Sequence, residues 1–81
     1  MASVHETWTE RRENMDNEKI AKKLFDLRKS RGETIVEVAD AVGVTQSAMS
    51  MYECGKRIPR DEVKMALARH YNTSIESIFF S

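Results

Sequence analysis

Gln46, Ser47 and Ser50 sit in the stretch QSAMSMYE, where Met49 and Tyr52 fall on the opposite side of a helical period. At 3.6 residues per turn, Gln46, Ser47, Ser50 and Met51 then share one outward face. The chemistry open to such a face is hydrogen bonding. A glutamine amide carries a donor and an acceptor in one plane, which matches N6 and N7 of adenine on its major-groove edge. Serine hydroxyls bond to base edges or to phosphate, and a methionine can touch a thymine methyl. The same four residues on an arbitrary helix are only a solvated polar surface, so the reading depends on how this helix is held.

The segment TIVEVADAVGVTQSAMSMYECG, residues 34–55, supplies the holder. Ile35, Val38, Ala39 and Val42 recur at helical intervals and make one apolar face of a helix of about two turns. Thr34 and Glu37 stand three apart, the spacing of a capping box at its start. Gly43 ends it, because so tight a corner requires a left-handed backbone, which costs a residue with a Cβ about 1–2 kcal/mol. Val44 tucks under the corner, Thr45 caps the next helix, and Met49 and Tyr52 face back toward the first. The result is a helix-turn-helix, whose second helix has its first turn aimed outward.

The remaining elements frame this pair. A first helix is expected over about 17–30, with Ile20, Leu24 and Leu27 buried, Phe25 at the margin and Gly32 as the stop. Gly55 closes the helix led by Gln46, and GKRIP forms the loop before Pro59. A fourth helix is expected from about Arg60 to Tyr71, with Val63, Ala66, Leu67 and Tyr71 inward and Asp61 and Glu62 at its positive end. Ser74 caps a last short helix, IESIFF. Ile78, Phe79 and Phe80 there either close the core or form a dimer contact. Residues 1–16, MASVHETWTERRENMD, show no sustained apolar face and read as an N-terminal extension, flexible or partly helical, with 17–81 as the one domain. Val4, Trp8 and Met15 could anchor the extension; Trp8 reads as packing or a dimer contact ahead of DNA contact, and Arg11 and Arg12 are its candidates for a minor groove.

From about Asn17 to Phe79 the chain resembles the lambdoid phage repressor/Cro family, also called Xre-type helix-turn-helix proteins. The matching motifs are LRKSRGET, VADAVGVTQSAMSMYECGKRIP and LARHYNTSIESIF. The resemblance implies an all-α, five-helix, lambda-repressor-like DNA-binding domain with an N-terminal extension. It implies a sequence-specific DNA-binding transcriptional regulator. The expected form is a repressor that binds double-stranded DNA at a palindromic operator as a homodimer through the helix at 45–54, since one helix reads only a few base pairs. Within the family the positions of Gln46 and Ser47 touch base edges or adjacent phosphates. An arginine at the position of Arg28 pairs there with a glutamate at the end of the recognition helix, which implies a structural salt bridge between Arg28 and Glu53.

Two positions depart from the family pattern. Met51 stands where a polar or basic residue is common. Ile35 stands where a glutamine often reaches a phosphate, which makes it a packing residue or part of a protein contact. The expected base contacts are thus Gln46, Ser47, Ser50 and Met51, and the expected phosphate contacts are Thr34, Thr45, Lys56 and Arg57.

Charge argues in part against DNA. The formal net charge is zero and the isoelectric point about 6.7, whereas a nucleic-acid domain is usually basic. The distribution is uneven. Residues 1–16 hold two basic against four acidic side chains, and residues 17–59 hold eight against six, so positive charge gathers around the motif. Lys19, Lys22 and Lys23 read as a solvated helix face. The neutral total, Ile35, Met51 and Trp8 favour a second class, a protein-interaction module such as an antitoxin or accessory subunit. Its partner would meet the N-terminal extension or the C-terminal apolar residues.

An enzyme is not expected, because no paired carboxylates, nucleophile with a base, phosphate loop or metal cluster stands out. His5 and His70 are isolated, and no cofactor or metal is implied. Cys54 is the single cysteine, which fits a reducing compartment. No long apolar run marks a membrane span, so a cytoplasmic protein is expected.

Overall fold

Five helices, and no strand, occupy residues 17–80, the part of the chain that the computed structural model describes. The expectations placed on Val4, His5, Trp8, Arg11, Arg12 and Met15 fall outside the described residues. The first helix, α1, covers residues 17–30 and buries Ile20, Ala21 and Leu24, with Leu27 packed at the edge of the core. It stops where the Glu33 amide folds back onto the Arg28 carbonyl at 3.1 Å.

Helix α2, Ile35–Val42, starts on a complete capping box. The Glu37 amide donates to Thr34 Oγ1 at 3.1 Å, and the Thr34 amide donates to the Glu37 carboxylate at 2.8 Å. Two of the amides that a helix start leaves unpaired are thereby satisfied. Gly43 then adopts φ 79°, and the Val44 amide returns to the Ala39 carbonyl at 2.9 Å. That bond closes the corner. Helix α3, Gln46–Glu53, begins at once, with Thr45 Oγ1 accepting from the Ala48 amide at 3.0 Å.

Helix α4 is Asp61–His70, with Arg60 and Tyr71 as flanking caps rather than full helical residues. Its inner stripe is Leu67, Ala68 and Tyr71 with Val63 alongside, so Ala68, not Ala66, is buried. The stripe follows i, i+4, i+5, i+8, which turns Ala66 to the margin. Asn72 takes the left-handed place after this helix, φ 54°, and lets the Thr73 amide reach the Ala68 carbonyl. Helix α5, Ile75–Phe79, starts from Ser74, whose hydroxyl accepts from the Ser77 amide. Ile78 and Phe79 close the core, and only Phe80 of this trio is left exposed.

The largest fully buried side chains are Leu24, Val38, Met49, Leu67 and Ile78. Each helix contributes one of them. Helix α2 packs on both α3 and α4, and α5 closes against α4. No described helix is long and apolar enough to cross a membrane.

No heavy atom lies within 4 Å of where a Cβ on Gly43 would sit, so alanine there would cost conformation alone. Gly43→Ala is expected to lower stability by about 1–2 kcal/mol, and Gly43→Asn by less, because asparagine enters the left-handed region more readily. Urea unfolding measures both. Equal losses would locate the cost in packing instead.

Candidate nucleic-acid interface

Helix α3 is gripped from one side and bare on the other. Met49 is fully buried and Tyr52 nearly so, which fixes the rotation of the helix about its own axis. Gln46, Ser47 and Met51 are consequently exposed and Ser50 is half-buried; with Cys54 and Lys56 they line one shallow depression. Ile35 packs against the core, which accounts for its side chain without a ligand.

The far end of α3 is held by charge. Arg28 presents Nε to both Glu53 oxygens, 2.8 and 3.1 Å, and Nη2 to Oε1 at 3.0 Å, while Nη1 donates to the Glu33 carbonyl at 2.9 Å. The side chains are 11% and 5% exposed, so water does little to screen the pair. The bonds to Glu53 raise the Arg28 pKa against the desolvation that burial imposes. Nearby, His70 Nε2 meets the Glu33 carboxylate at 2.9 Å, so α1, the loop before α2, α3 and α4 are tied by one polar chain. The contact of Glu33 with His70 spans 37 positions, and no local pattern announces it.

The two helix starts differ as anion sites. At α2 the Glu37 carboxylate already takes the Thr34 amide, and that bond lowers the Glu37 pKa. A phosphate approaching Thr34 would meet a carboxylate, and what remains for it there is the O–H of the threonine and the Ile35 and Val36 amides, which the capping box does not use. At α3 the first turn holds no acidic side chain. Its amides and the Thr45 O–H face outward at the positive end of the helix dipole. Lys56 and Arg57 are exposed just past the other end of α3, and neither forms an ion pair among the described residues. Lys22 and Lys23 are otherwise engaged, the first with Asp26 at 3.2 Å and the second with the Ser77 carbonyl at 2.9 Å.

Among the described residues no group of histidine, cysteine or carboxylate side chains is arranged to hold a metal ion. Cys54, which the residue pattern assigned no role, lies exposed in the depression beside Lys56. Tyr71 closes the inner side of the polar chain. Its hydroxyl is buried without a hydrogen-bond partner among the described residues.

Removing Arg28 strands a desolvated carboxylate. Arg28→Ala is expected to cost about 3–5 kcal/mol, and Lys56→Ala close to nothing, in the same unfolding measurement. Equal melting temperatures would reject the structural role of Arg28. For Tyr71, burial first and the charges of Glu53 and Glu33 next push the pKa well above the phenolic value. A raised folded-state pKa makes a contribution that is complete below about pH 10 and is lost as pH rises through the folded value. Tyr71→Phe should therefore blunt the alkaline loss of stability and hold or raise the melting temperature at pH 7. A clear fall at pH 7 would mean that the hydroxyl is paired.

Comparison with known proteins adds a family. A helix-turn-helix family model matches residues 24–78, more than half of the chain. No individual curated protein and no solved structure matches. The matched span runs from the third turn of α1 to Ile78 and includes the whole α2–corner–α3 unit. With that span, that corner and that exposed α3, the chain belongs to the Xre/lambda-repressor-like helix-turn-helix family, whose members are DNA-binding regulators.

Proposed function

We propose that this chain is a sequence-specific transcriptional repressor that works in the cytoplasm as a homodimer on a palindromic operator. One observation carries the reading: the start of α3 is exposed, free of acidic side chains and led by Gln46, while Met49, Tyr52 and the Arg28–Glu53 pair hold the helix rigidly from behind. In this reading Gln46 and Ser47 meet base edges, with Ser50 and Met51 beside them. Thr45, Lys56, Arg57 and the Thr34 O–H bind phosphate and set the register. Dimerisation gains support from Phe80 and Met65, both well exposed, which line an apolar depression with Ile75 at the outer edge of α4 and α5. A twofold interface there would repeat the same patch on both subunits.

A protein-interaction module is the second reading, favoured by Met51 in the middle of the recognition face and by Val36, 55% exposed on α2. Salt separates the two. Several cationic contacts to phosphate make duplex binding fall tenfold or more over a roughly fourfold rise in salt, and a chain that binds no duplex at low salt is not the regulator.

Selection of bound sites from random DNA is expected to return a preferred half-site repeated with dyad symmetry. On that site Gln46→Ala should lose about 1–3 kcal/mol and relax one base position, and Lys56→Ala should weaken preferred and random duplex alike. A monomer at high micromolar concentration, alone and with the selected site, would remove the dimer.

A further inference from the structure

Helix α1 meets the end of α3 at two levels. A Cβ on Gly55 would sit 3.5 Å from the Asn17 carbonyl oxygen and 3.8 Å from the Ala21 Cβ, and further along α1 Arg28 pairs with Glu53. Phe25 stands between Ala21 and Arg28, about one turn from each. It is 44% exposed, and the residues that share its outer face of the helix, Glu18, Lys22 and Lys29, are exposed and charged. The ring is no part of the core cluster. Burial in the core therefore does not explain an apolar ring at this place.

What lies over the ring does explain it. Arg28 Cζ is 5.4 Å from the ring centroid, and Lys29 Nζ is 5.9 Å from the same point. The three nitrogens of Arg28 donate in the plane of the guanidinium, to the Glu53 carboxylate and the Glu33 carbonyl, and leave the faces of the group for other contacts. The Arg28 side chain is nonetheless only 11% exposed, although it borders the outer face of α1. An aromatic ring over the cation keeps water from that side, and its electron-rich face replaces part of the hydration the cation has lost. Both effects favour a closed pair over one with water inserted between Arg28 and Glu53.

We propose that Phe25 is a positioning residue for DNA reading: it covers the Arg28–Glu53 pair from the solvent side and so keeps α3 at the angle on which its base contacts depend. The proposal rests on the DNA-binding reading above and adds a residue that sets discrimination between sequences without touching DNA. Contacts to base edges have narrow geometric demands, so a loosened end of α3 lowers discrimination first. Attraction of Lys56 and Arg57 to the phosphate backbone carries no sequence information, so binding to random duplex is spared.

Two substitutions in the full chain separate the ring from apolar volume: Phe25→Leu removes the ring and stays apolar, and Phe25→Tyr keeps the ring. Exchange of the Arg28 Nε proton with water, read by NMR, is expected to quicken about threefold in Phe25→Leu and to be unchanged in Phe25→Tyr. On DNA, the ratio of affinities for the selected site and for random duplex should fall about threefold in Phe25→Leu and recover in Phe25→Tyr, well below the melting temperature of each variant. Affinity for random duplex should stay within about twofold throughout. A lower melting temperature with an unchanged ratio would mean that the ring only stabilises the fold, and would overturn the positioning role. So would unchanged proton exchange in Phe25→Leu, or a loss of discrimination that Phe25→Tyr shares. Absence of duplex binding in every form, the unsubstituted chain included, would overturn the DNA-binding reading and the effect on discrimination with it, while the exchange rate still decides whether the ring covers the pair.

Discussion

The direction in which α3 points depends on the ion pair of Arg28 with Glu53. Buried contacts from Met49 and Tyr52, with Ala48 packed beside them, fix the rotation of the helix about its axis, and the ion pair adds a polar contact at its last residue. A bidentate guanidinium–carboxylate contact is directional, and here it joins the last residue of α3 to α1, with an Nη1 N–H of the same guanidinium on the Glu33 carbonyl. Each of the three guanidinium nitrogens has an acceptor and both Glu53 oxygens are engaged, which is what makes a desolvated pair tolerable. An apolar pair of similar volume could hold the helices together equally well, but it would not define the angle between them as sharply.

The same pair resolves the contradiction between a neutral chain and an anionic ligand. Four carboxylates around the motif are engaged within the protein: Glu53 with Arg28, Glu33 with His70, Glu37 with the start of α2, and Asp26 with Lys22. Lys56 and Arg57 form no such pair among the described residues. A formal sum counts these groups equally, whereas the potential felt by a ligand in front of α3 depends on where each charge sits and on the partner beside it. The neutral total is therefore a poor guide to what that face attracts.

Legibility in the sequence follows the range of the interactions. The caps at Thr34, Thr45 and Ser74 and the corner at Gly43 involve partners within about one helical turn, so residue type and spacing suffice to locate them. The bounds of α4 were less legible, because Arg60 and Tyr71 fit a helical pattern yet serve as its flanks. Ala66 and Ala68 are the same residue type two positions apart, and only the direction of approach of the other helices selects Ala68 for burial. For the candidate site, the outward placement of Gln46, Ser47 and Met51 follows from periodicity. The engagement of the Thr34 amide by Glu37, with its consequence for an anion, requires the capping geometry in three dimensions.

By itself the sequence determined five helices, their order, the caps at Thr34, Thr45 and Ser74 and the glycine corner, since each rests on local hydrogen bonds and a 3.6-residue apolar period. Tertiary structure alone decided which of Ile78, Phe79 and Phe80 closes the core, that His70 meets Glu33, and that α1 begins beside the end of α3. Those outcomes depend on where distant segments come to rest, and packing volume and burial, unlike a helical period, are properties of the assembled core that no local stretch of residues contains.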